Sequence, residues 1–243
     1  MTKISILQWN VWYKEDIHNI ASFLKTYKAD IICLQELTIG YQQSEPHTVQ
    51  YIAKTLDYRH YGQGMTTPGR DWIQANAIFT KFPILNKQYH YINEPIGTNG
   101  FDDEYRSYIE TTLEVNEKQL TVGTTHMSYT DAFTETQRKA KETDKLIALL
   151  NQKKQNYILT GDLNAMPTSS TIQKIKHVLR HVGPSFDQKT WTTKPFSYNG
   201  FEADKLDWRL DYAFATQDVR IVSTEIVQTN FSDHLPIKIT LEI

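Results

Sequence analysis

The sequence SDHLPI at residues 232–237 places an acid and a histidine directly before an apolar strand near the end of the chain. Earlier, TGDLNA at residues 160–165 places an acid and an amide directly after an apolar run. Strand ends are where an α/β scaffold exposes catalytic side chains. Together the two stretches supply metal ligands, a proton acceptor and an amide that can orient a water or a phosphate. Such a set of groups is suited to the hydrolysis of phosphate esters.

Four further segments extend this pattern along the chain. They are QWNV at residues 8–11, LQEL at 34–37, THMS at 125–128 and WRLDY at 208–212. With the first two stretches they resemble, in the expected order, the endonuclease/exonuclease/phosphatase superfamily, which shares the deoxyribonuclease I-like fold. Any one tetrapeptide is weak evidence, but six in order, with matched positions from residue 10 to residue 234, are specific. We therefore expect one such domain over residues 1–243.

Composition sets the broad class of the protein. A chain of 243 residues with 40% hydrophobic and 22% charged residues can bury one sizeable core. The formal net charge of −2 provides no global basic field, which argues against a non-specific DNA coat protein but not against an enzyme. The single cysteine, Cys33, permits no disulfide within the chain and is predicted to be a buried strand residue.

The chain shows no membrane or targeting signal. No apolar run approaches the ~20 residues that a spanning helix needs. The first residues are too short and polar a stretch for a signal peptide, and the chain begins with Met. We expect a cytoplasmic protein without a membrane segment, and no sequence feature indicates a protein partner.

Secondary structure follows from the spacing of apolar residues. Strands are predicted near residues 3–9, 30–35, 75–80, 106–115, 119–125, 156–161, 210–215, 219–227 and 235–242. Helices are predicted at 17–24, 45–56 and 132–150, the last with Asp131 as N-cap.

The order of these elements indicates the fold class. Segments 75–85 and 106–125 are predicted to be hairpins, and the polar segments 92–105 and 184–209 are predicted to be surface loops. Helices and strands mix without strict βαβ alternation, which favours mixed or antiparallel sheets packed face to face with helices outside. The resemblance implies an α/β fold of a more specific kind, a four-layer α/β/β/α sandwich of two mixed, mainly antiparallel sheets.

The candidate metal ligands are oxygen donors. Glu36 follows an apolar run, and a carboxylate suits a hard cation such as Mg²⁺, with Mn²⁺ as the alternative. The resemblance implies that Asn10 lies beside both the metal and the phosphate, and that Asp233 contacts the metal or a water on it. Family nucleases often carry an acid two positions after this asparagine. Here that position is Trp12, so a second ligand is missing there.

The candidate catalytic groups come from the later motifs. Asp162 and Asn164 flank an apolar residue, so strand-like alternation points both to one side. We interpret Asp162 as the general base or the group that orients the attacking water, and Asn164 as a phosphate ligand. The resemblance implies that Asp211 orients His234, which would fix its tautomer and raise its pKa. It also implies that His126 contacts the phosphate and protonates the leaving oxygen.

Two further residues are candidate substrate ligands. Arg106 starts a predicted strand, and the matching family position often holds an arginine near the phosphate, for which a guanidinium is well shaped. The alternative is an ordinary surface strand residue. Asn76 is a second candidate, directly before another predicted strand.

The substrate is less clearly indicated than the chemistry. His126 favours the deoxyribonuclease I-like, sphingomyelinase-like and phosphatase-like branches, whereas WRLD at 208–211 resembles the exonuclease III branch. We predict a metal-dependent hydrolase of phosphodiester bonds that acts on DNA or RNA. The alternative is a phosphatase or phosphodiesterase for a small phosphorylated metabolite, an inositol phosphate or a lipid head group. A catalytically dead binding module would be expected to lack Glu36, Asp162, Asn164 or His234, and all four are present.

Overall fold

The computed structural model describes residues 2–96 and 104–243. In this part of the chain the helices are α1 (Ile17–Tyr27), α2 (Thr48–Leu56), α3 (Gln137–Leu150) and α4 (Ser170–Val178). The strands are β1 (Lys3–Asn10), β2 (Ile31–Ile39), β3 (Arg59–Met65), β4 (Ile73–Thr80), β5 (Ile84–Asn93), β6 (Arg106–Val115), β7 (Lys118–His126), β8 (Tyr157–Asp162), β9 (Arg180–His181), β10 (Phe196–Tyr198), β11 (Phe201–Ala203), β12 (Asp211–Ala215), β13 (Arg220–Ile226) and β14 (Ile237–Glu242).

Two mixed six-stranded sheets form the centre of the fold. Their strand orders are β13-β14-β1-β2-β4-β3 and β5-β6-β7-β8-β12-β9, and β10 pairs separately with β11. Neighbouring strands are antiparallel except for the parallel pairs β1/β2 and β7/β8. One apolar cluster, with Ile6 and Ile158 among its members, fills the space between the sheets. Helices α1 and α2 cover the outer face of the first sheet, and α3 and α4 cover that of the second. The predicted α/β/β/α sandwich is therefore confirmed.

The two parallel strand pairs bring the polar motifs to one edge of the sandwich. Asn10 ends β1, His126 ends β7 and Asp162 ends β8. In the sheet register Asp162 lies opposite both His126 and Asp211. Each of these side chains thus follows or begins a buried strand, and the packing of the two sheets places them together.

Several predicted elements differ in detail from the structure. The segment 106–125 does form a hairpin, since β6 and β7 are antiparallel neighbours. The prediction of a hairpin at 75–85 was wrong, because β4 and β5 belong to different sheets. The short link around Pro83 crosses from one sheet to the other. Helix α3 begins at Gln137 with Thr136 as N-cap, and Asp131 instead begins a short 3₁₀ turn. The predicted loop at 92–105 lies in part outside the described residues.

Cys33 is buried within β2, as predicted. Among the helices described, none combines the length and the apolar character that crossing a bilayer requires.

Candidate active site

Asp162 is the centre of the site. Its Oδ2 accepts a hydrogen bond from Asn10 Nδ2 at 3.0 Å and lies 3.5 Å from His126 Nε2 and 3.6 Å from His234 Nε2. Its Oδ1 accepts from the backbone N–H of Asn164 at 2.9 Å. Burial raises the pKa of this carboxyl to about 6, although the positive charge of His234 acts in the opposite direction. A carboxylate poised near neutral pH is suited to accept a proton from water.

Gly161 allows Asp162 to reach this position. A Cβ built on Gly161 would lie 2.2 Å from the carbonyl oxygen of Thr125 on the neighbouring strand β7. Any larger residue would push β8 away from β7, because real Cβ atoms do not approach a backbone oxygen so closely. The glycine of the TGDLNA motif therefore sets the spacing between Asp162 and His126.

A β-bulge turns Glu36 toward the cleft. The register of β2 with β4 shifts between Leu34 and Leu37, and Glu36 itself has a left-handed φ of 61°. Its carboxylate accepts from Asn10 Nδ2 at 2.9 Å and from the backbone N–H of Tyr13 at 3.1 Å. Burial and the nearby charge of Asp233 raise the pKa of Glu36 to about 7.

The residues around Glu36 fit a hard divalent cation. Glu36 and Asp233 offer carboxylate oxygens, and Asn10 adds an amide oxygen. The two acids are close enough to raise the pKa of Glu36 by mutual repulsion, which a cation between them would relieve. Asp233 is held in place by Trp191, whose indole N–H donates to its Oδ2 at 3.0 Å.

A second group of potential metal ligands surrounds His234. One ligand atom each from Asp162, Asp211 and His234 lies within 4.8 Å of the others. Burial alone would lower the pKa of His234, but Asp211 and the other nearby acids raise it well above its ordinary value. A protonated imidazole cannot bind a metal, and Nδ1 is already 2.8 Å from Asp211 Oδ2. We therefore assign this group to the orientation and charging of His234.

His126 has a different electrical environment from His234. Arg106 Nη1 lies 3.0 Å from His126 Nδ1, and its Nη2 donates to Glu104 at 2.6 Å. Because a guanidinium can only donate, Nδ1 of His126 is the acceptor and Nε2 carries the proton. Burial and the charge of Arg106 hold the pKa of His126 well below its ordinary value. His126 is thus a neutral hydrogen-bond donor at the site, which does not favour the expected role as an acid for the leaving oxygen.

Of the two predicted phosphate ligands, Arg106 lies at the cleft and Asn76 does not. Arg106 lines the cleft, yet its guanidinium is buried and engaged with His126 and Glu104. Asn76 is not among the residues that line the cleft, because its Nδ2 donates across the core to the carbonyl of Ser107 at 3.2 Å. The structure therefore brings Arg106 to the site as a partner of His126 and leaves Asn76 between the sheets.

Asn164 reaches the same point from the loop after β8. It has a left-handed φ of 44°, a conformation that asparagine tolerates better than most residues. Its Nδ2 donates to the carbonyl of Met127 at 3.0 Å. It also lies 3.1 Å from His126 Nε2, a close contact between two donors, because the Arg106 guanidinium occupies Nδ1 and leaves the proton on Nε2. The structure therefore holds this amide beside His126 at the cleft.

A cleft with about 700 Å³ of empty space, open solvent included, opens over these groups. Aromatic side chains form two walls of the cleft: Trp12 and Tyr13 contribute one, and Tyr129, Phe133, Trp191 and Phe196 contribute the other. Trp208 and Phe201 pack against Phe133 behind the second wall.

Comparison with known families agrees with this geometry. The profile of the Endonuclease/Exonuclease/phosphatase family matches residues 7–234. The chain belongs to this family. Its members are hydrolases that act on phosphate esters, which is the chemistry expected of the residues around Asp162.

Solved structures of the family share the fold. A Beutenbergia cavernae endonuclease/exonuclease/phosphatase has a TM-score of 0.81 at 18% identity, over 100% of this chain and 72% of that one. A Bacteroides thetaiotaomicron mannosyl-6-phosphatase has a TM-score of 0.71 at 18% identity, over 99% of this chain and 100% of that one. D. rerio TDP2, solved with a single-strand DNA product, has a TM-score of 0.71 at 18% identity over 100% of both chains. A search of curated protein sequences found no match.

The structure adds residues that the sequence did not indicate in this family member. Gln8 and Gln35 pair with each other inside the sheets, and Gln8 Nε2 also reaches Asp211 Oδ1 at 3.4 Å. Both belong to the QWNV and LQEL motifs and lie in buried strands, where a polar side chain is a signal that could have singled them out. Lys139 on α3 donates to the carbonyls of Ser128 and Leu163, both at 2.7 Å. It thereby connects the loops that follow β7 and β8. The sequence did not indicate this role, because Lys139 lies next to apolar positions of a helix and resembles an ordinary surface lysine.

Proposed function

We propose that this protein is a divalent-metal-dependent phosphodiesterase that acts on nucleic acid through in-line attack of water on phosphorus. The observation that carries the proposal is the arrangement around Asp162. One carboxylate lies within 3.6 Å of both imidazoles and within 3.0 Å of the Asn10 amide, which also binds Glu36. Phosphoryl transfer needs this kind of positioning and charge neutralisation rather than a protein nucleophile.

In the proposed reaction Asp162 orients a water molecule and accepts one of its protons as the water oxygen bonds to phosphorus. The ester oxygen on the opposite face departs with the electron pair of the broken P–O bond and leaves as the alcohol after taking a proton from solvent. His126, His234 and Asn164 donate hydrogen bonds to the non-bridging oxygens, where negative charge increases in the transition state.

His234 and His126 have distinct parts in this scheme. His234 is cationic because Asp211 and the neighbouring acids raise its pKa, so it contributes a full positive charge. His126 is neutral, and its Nε2–H contributes a directed hydrogen bond.

Glu36, Asp233 and Asn10 would hold Mg²⁺, with Mn²⁺ as the alternative. When bound, such a cation neutralises charge on a phosphoryl oxygen and aligns the phosphate. The oxygen-only donor set supports this choice over a softer metal.

Nucleic acid is the substrate that we propose first, on the basis of the WRLD motif at 208–211. The structural relative TDP2 was solved with a single-strand DNA product, which is consistent with this choice. A small phosphate monoester is the second candidate. The compact cleft, the net charge of −2 and the relative named mannosyl-6-phosphatase favour it.

A metal-supplemented activity panel tests the proposal. Protein stripped with EDTA would be assayed with no metal, with Mg²⁺ and with Mn²⁺ on single-stranded DNA, RNA, bis-nitrophenyl phosphate and several phosphomonoesters. The Asp162→Asn variant is the matched control. We expect metal-dependent cleavage of the diesters, greatly reduced in the control. Undiminished turnover without metal, or activity confined to monoesters, would contradict the proposal.

A further inference from the structure

Trp12 forms part of one wall of the cleft, and two lysines lie close to its ring. Lys14 Nζ is 5.9 Å and Lys194 Nζ is 5.0 Å from the centre of the indole ring. Both distances are in the range of cation–π contact. The two lysines come from separate loops, one directly after Trp12 and one after β9, so the fold brings the positive charges to this ring.

The backbone of Trp12 is fixed to the catalytic residues. Its φ of 57° is left-handed, which is uncommon for a bulky side chain and is tolerated where the surroundings enforce it. The Trp12 N–H donates to Asn10 Oδ1 at 3.0 Å, and the next N–H, of Tyr13, donates to Glu36 at 3.1 Å. The indole is therefore held at a set position relative to Asn10 and Glu36, which bind the phosphate and metal in the proposed function.

Aromatic rings pack against Tyr13, the other member of this wall. The Tyr13 ring stacks on Trp72, with centroids 5.3 Å apart and planes at 22°, and Tyr41 contacts both. Arg70 lies over the Trp72 ring at 4.5 Å and forms an ion pair with Glu104 at 2.7 Å. This packing limits the motion of the wall, so a ligand that stacks on it needs to order little protein.

Nearby positive charge distinguishes this wall from the other one. Lys14 is exposed and forms no ion pair with any residue that the structure describes, whereas Lys194 contacts Glu15 at 3.3 Å. Within the described residues, the cation–ring contacts around the cleft all lie on the Trp12 side. In the described part of the chain, no cation–ring contact involves Phe133, Trp191 or Phe196 of the other wall. A ligand that is both planar and anionic thus fits the Trp12 side.

We propose that Trp12, Lys14 and Lys194 form a nucleobase subsite next to the scissile phosphate. One base of the substrate stacks on the indole, and the phosphate beyond that base contacts the two lysines. A base stacked in this way must be free of a duplex partner, so the substrate class is single-stranded or short nucleic acid. The inference rests on the proposed phosphodiesterase function and assigns its substrate specificity to these residues.

Dinucleotides with a single phosphodiester bond test the base contact. The substrates would be TpT and its two analogues in which one or the other thymine is replaced by hydrogen. Wild type, Trp12→Ala and Trp12→Phe would be compared by kcat/KM with Mg²⁺. Tyr89→Ala is the control, since Tyr89 is an exposed aromatic of β5 outside the cleft lining.

For wild type, removal of the base from one of the two ends should lower kcat/KM roughly 10- to 100-fold, the usual range for one base–aromatic stack. Trp12→Ala should lose a similar factor on TpT, and the two losses should not add. Trp12→Phe should keep most of the activity, and the control should match wild type. In a Lys14→Ala/Lys194→Ala variant, a terminal phosphate added to TpT should no longer raise kcat/KM.

Other outcomes separate this inference from the proposed function. Equal cleavage of TpT and both analogues, or an equal Trp12→Ala loss on all three, would overturn the base subsite. Cleavage of bis-nitrophenyl phosphate without cleavage of any dinucleotide would leave the phosphodiesterase function intact and overturn the subsite. Failure to cleave bis-nitrophenyl phosphate as well as the dinucleotides would overturn both.

Discussion

Replacing Glu36 by glutamine should stabilise the metal-free protein at pH 8 while it removes the proposed activity. The pKa of Glu36 is raised from 4.5 to about 7 by burial and by Asp233. At about 1.4 kcal/mol per pKa unit, keeping this carboxylate ionised costs the fold roughly 3 kcal/mol. A native-state pKa above the unfolded-state value means that stability is lost as pH rises from about 4.5 through 7, and the full cost is present at pH 8.

Glutamine cannot ionise, but it keeps only one of the two acceptor oxygens that bind Asn10 and Tyr13. That loss offsets about 1 kcal/mol of the gain, so the net stabilisation at pH 8 is roughly 2 kcal/mol. For a chain of this length, about 2–4 °C per kcal/mol gives a rise in Tm of roughly 4–8 °C.

Calorimetry of EDTA-treated wild type, Glu36→Gln and the control Glu114→Gln measures this effect, since Glu114 is exposed on β6. The Tm difference between Glu36→Gln and wild type should shrink at pH 5, and the control should follow wild type. Added Mg²⁺ should raise the Tm of wild type and leave that of Glu36→Gln unchanged, because only wild type retains the ligand. A Glu36→Gln protein that melts at or below the wild-type temperature at pH 8 would refute the reasoning.

Three further predictions concern catalysis on bis-nitrophenyl phosphate. Asp162→Asn and His234→Ala should each lower kcat roughly 10²–10⁴-fold; a folded variant within a few-fold of wild type would remove that residue from the mechanism. Asp211→Asn should cost little further rate in the His234→Ala background, because the pair acts as one unit; additive losses would show independent roles. Arg106→Gln should lower kcat by up to roughly 10²-fold with little change in KM, and Arg106→Lys should recover part of it. Nitrogen NMR that finds His126 in the same Nε2–H tautomer without Arg106 would contradict the positioning role.

The central strands were predictable because their residues alternate or are apolar throughout. The edge strands β3 and β5 were missed for a physical reason. Each lies at an edge of its own sheet, and the middle of β5, from Leu85 to Tyr91, is exposed. An exposed edge strand buries little apolar surface, so it carries no clear hydrophobic periodicity. The crossing between sheets near Pro83 was therefore read as a hairpin.

The candidate catalytic residues were predictable because each stands at a strand end within a motif. Their partners were not, because those contacts join residues far apart in the sequence. Trp191 binds Asp233 across 42 residues, and the Gln8 contact with Asp211 crosses 203. Glu104 lies in a polar segment of the sequence, which did not predict that this acid is buried and forms ion pairs with Arg70 and Arg106. The environment of His126, and hence its neutral state, depends on this tertiary arrangement.

The stereochemistry of hydrolysis tests the central claim most directly. A phosphorothioate diester of single configuration at phosphorus would be hydrolysed in ¹⁸O-labelled water with Mg²⁺, and the configuration of the product would be determined. A single in-line attack by water, oriented by Asp162, predicts inversion with the label on phosphorus. Retention would indicate a covalent enzyme intermediate, and label in the alcohol would indicate cleavage of the C–O bond; either result would contradict the mechanism.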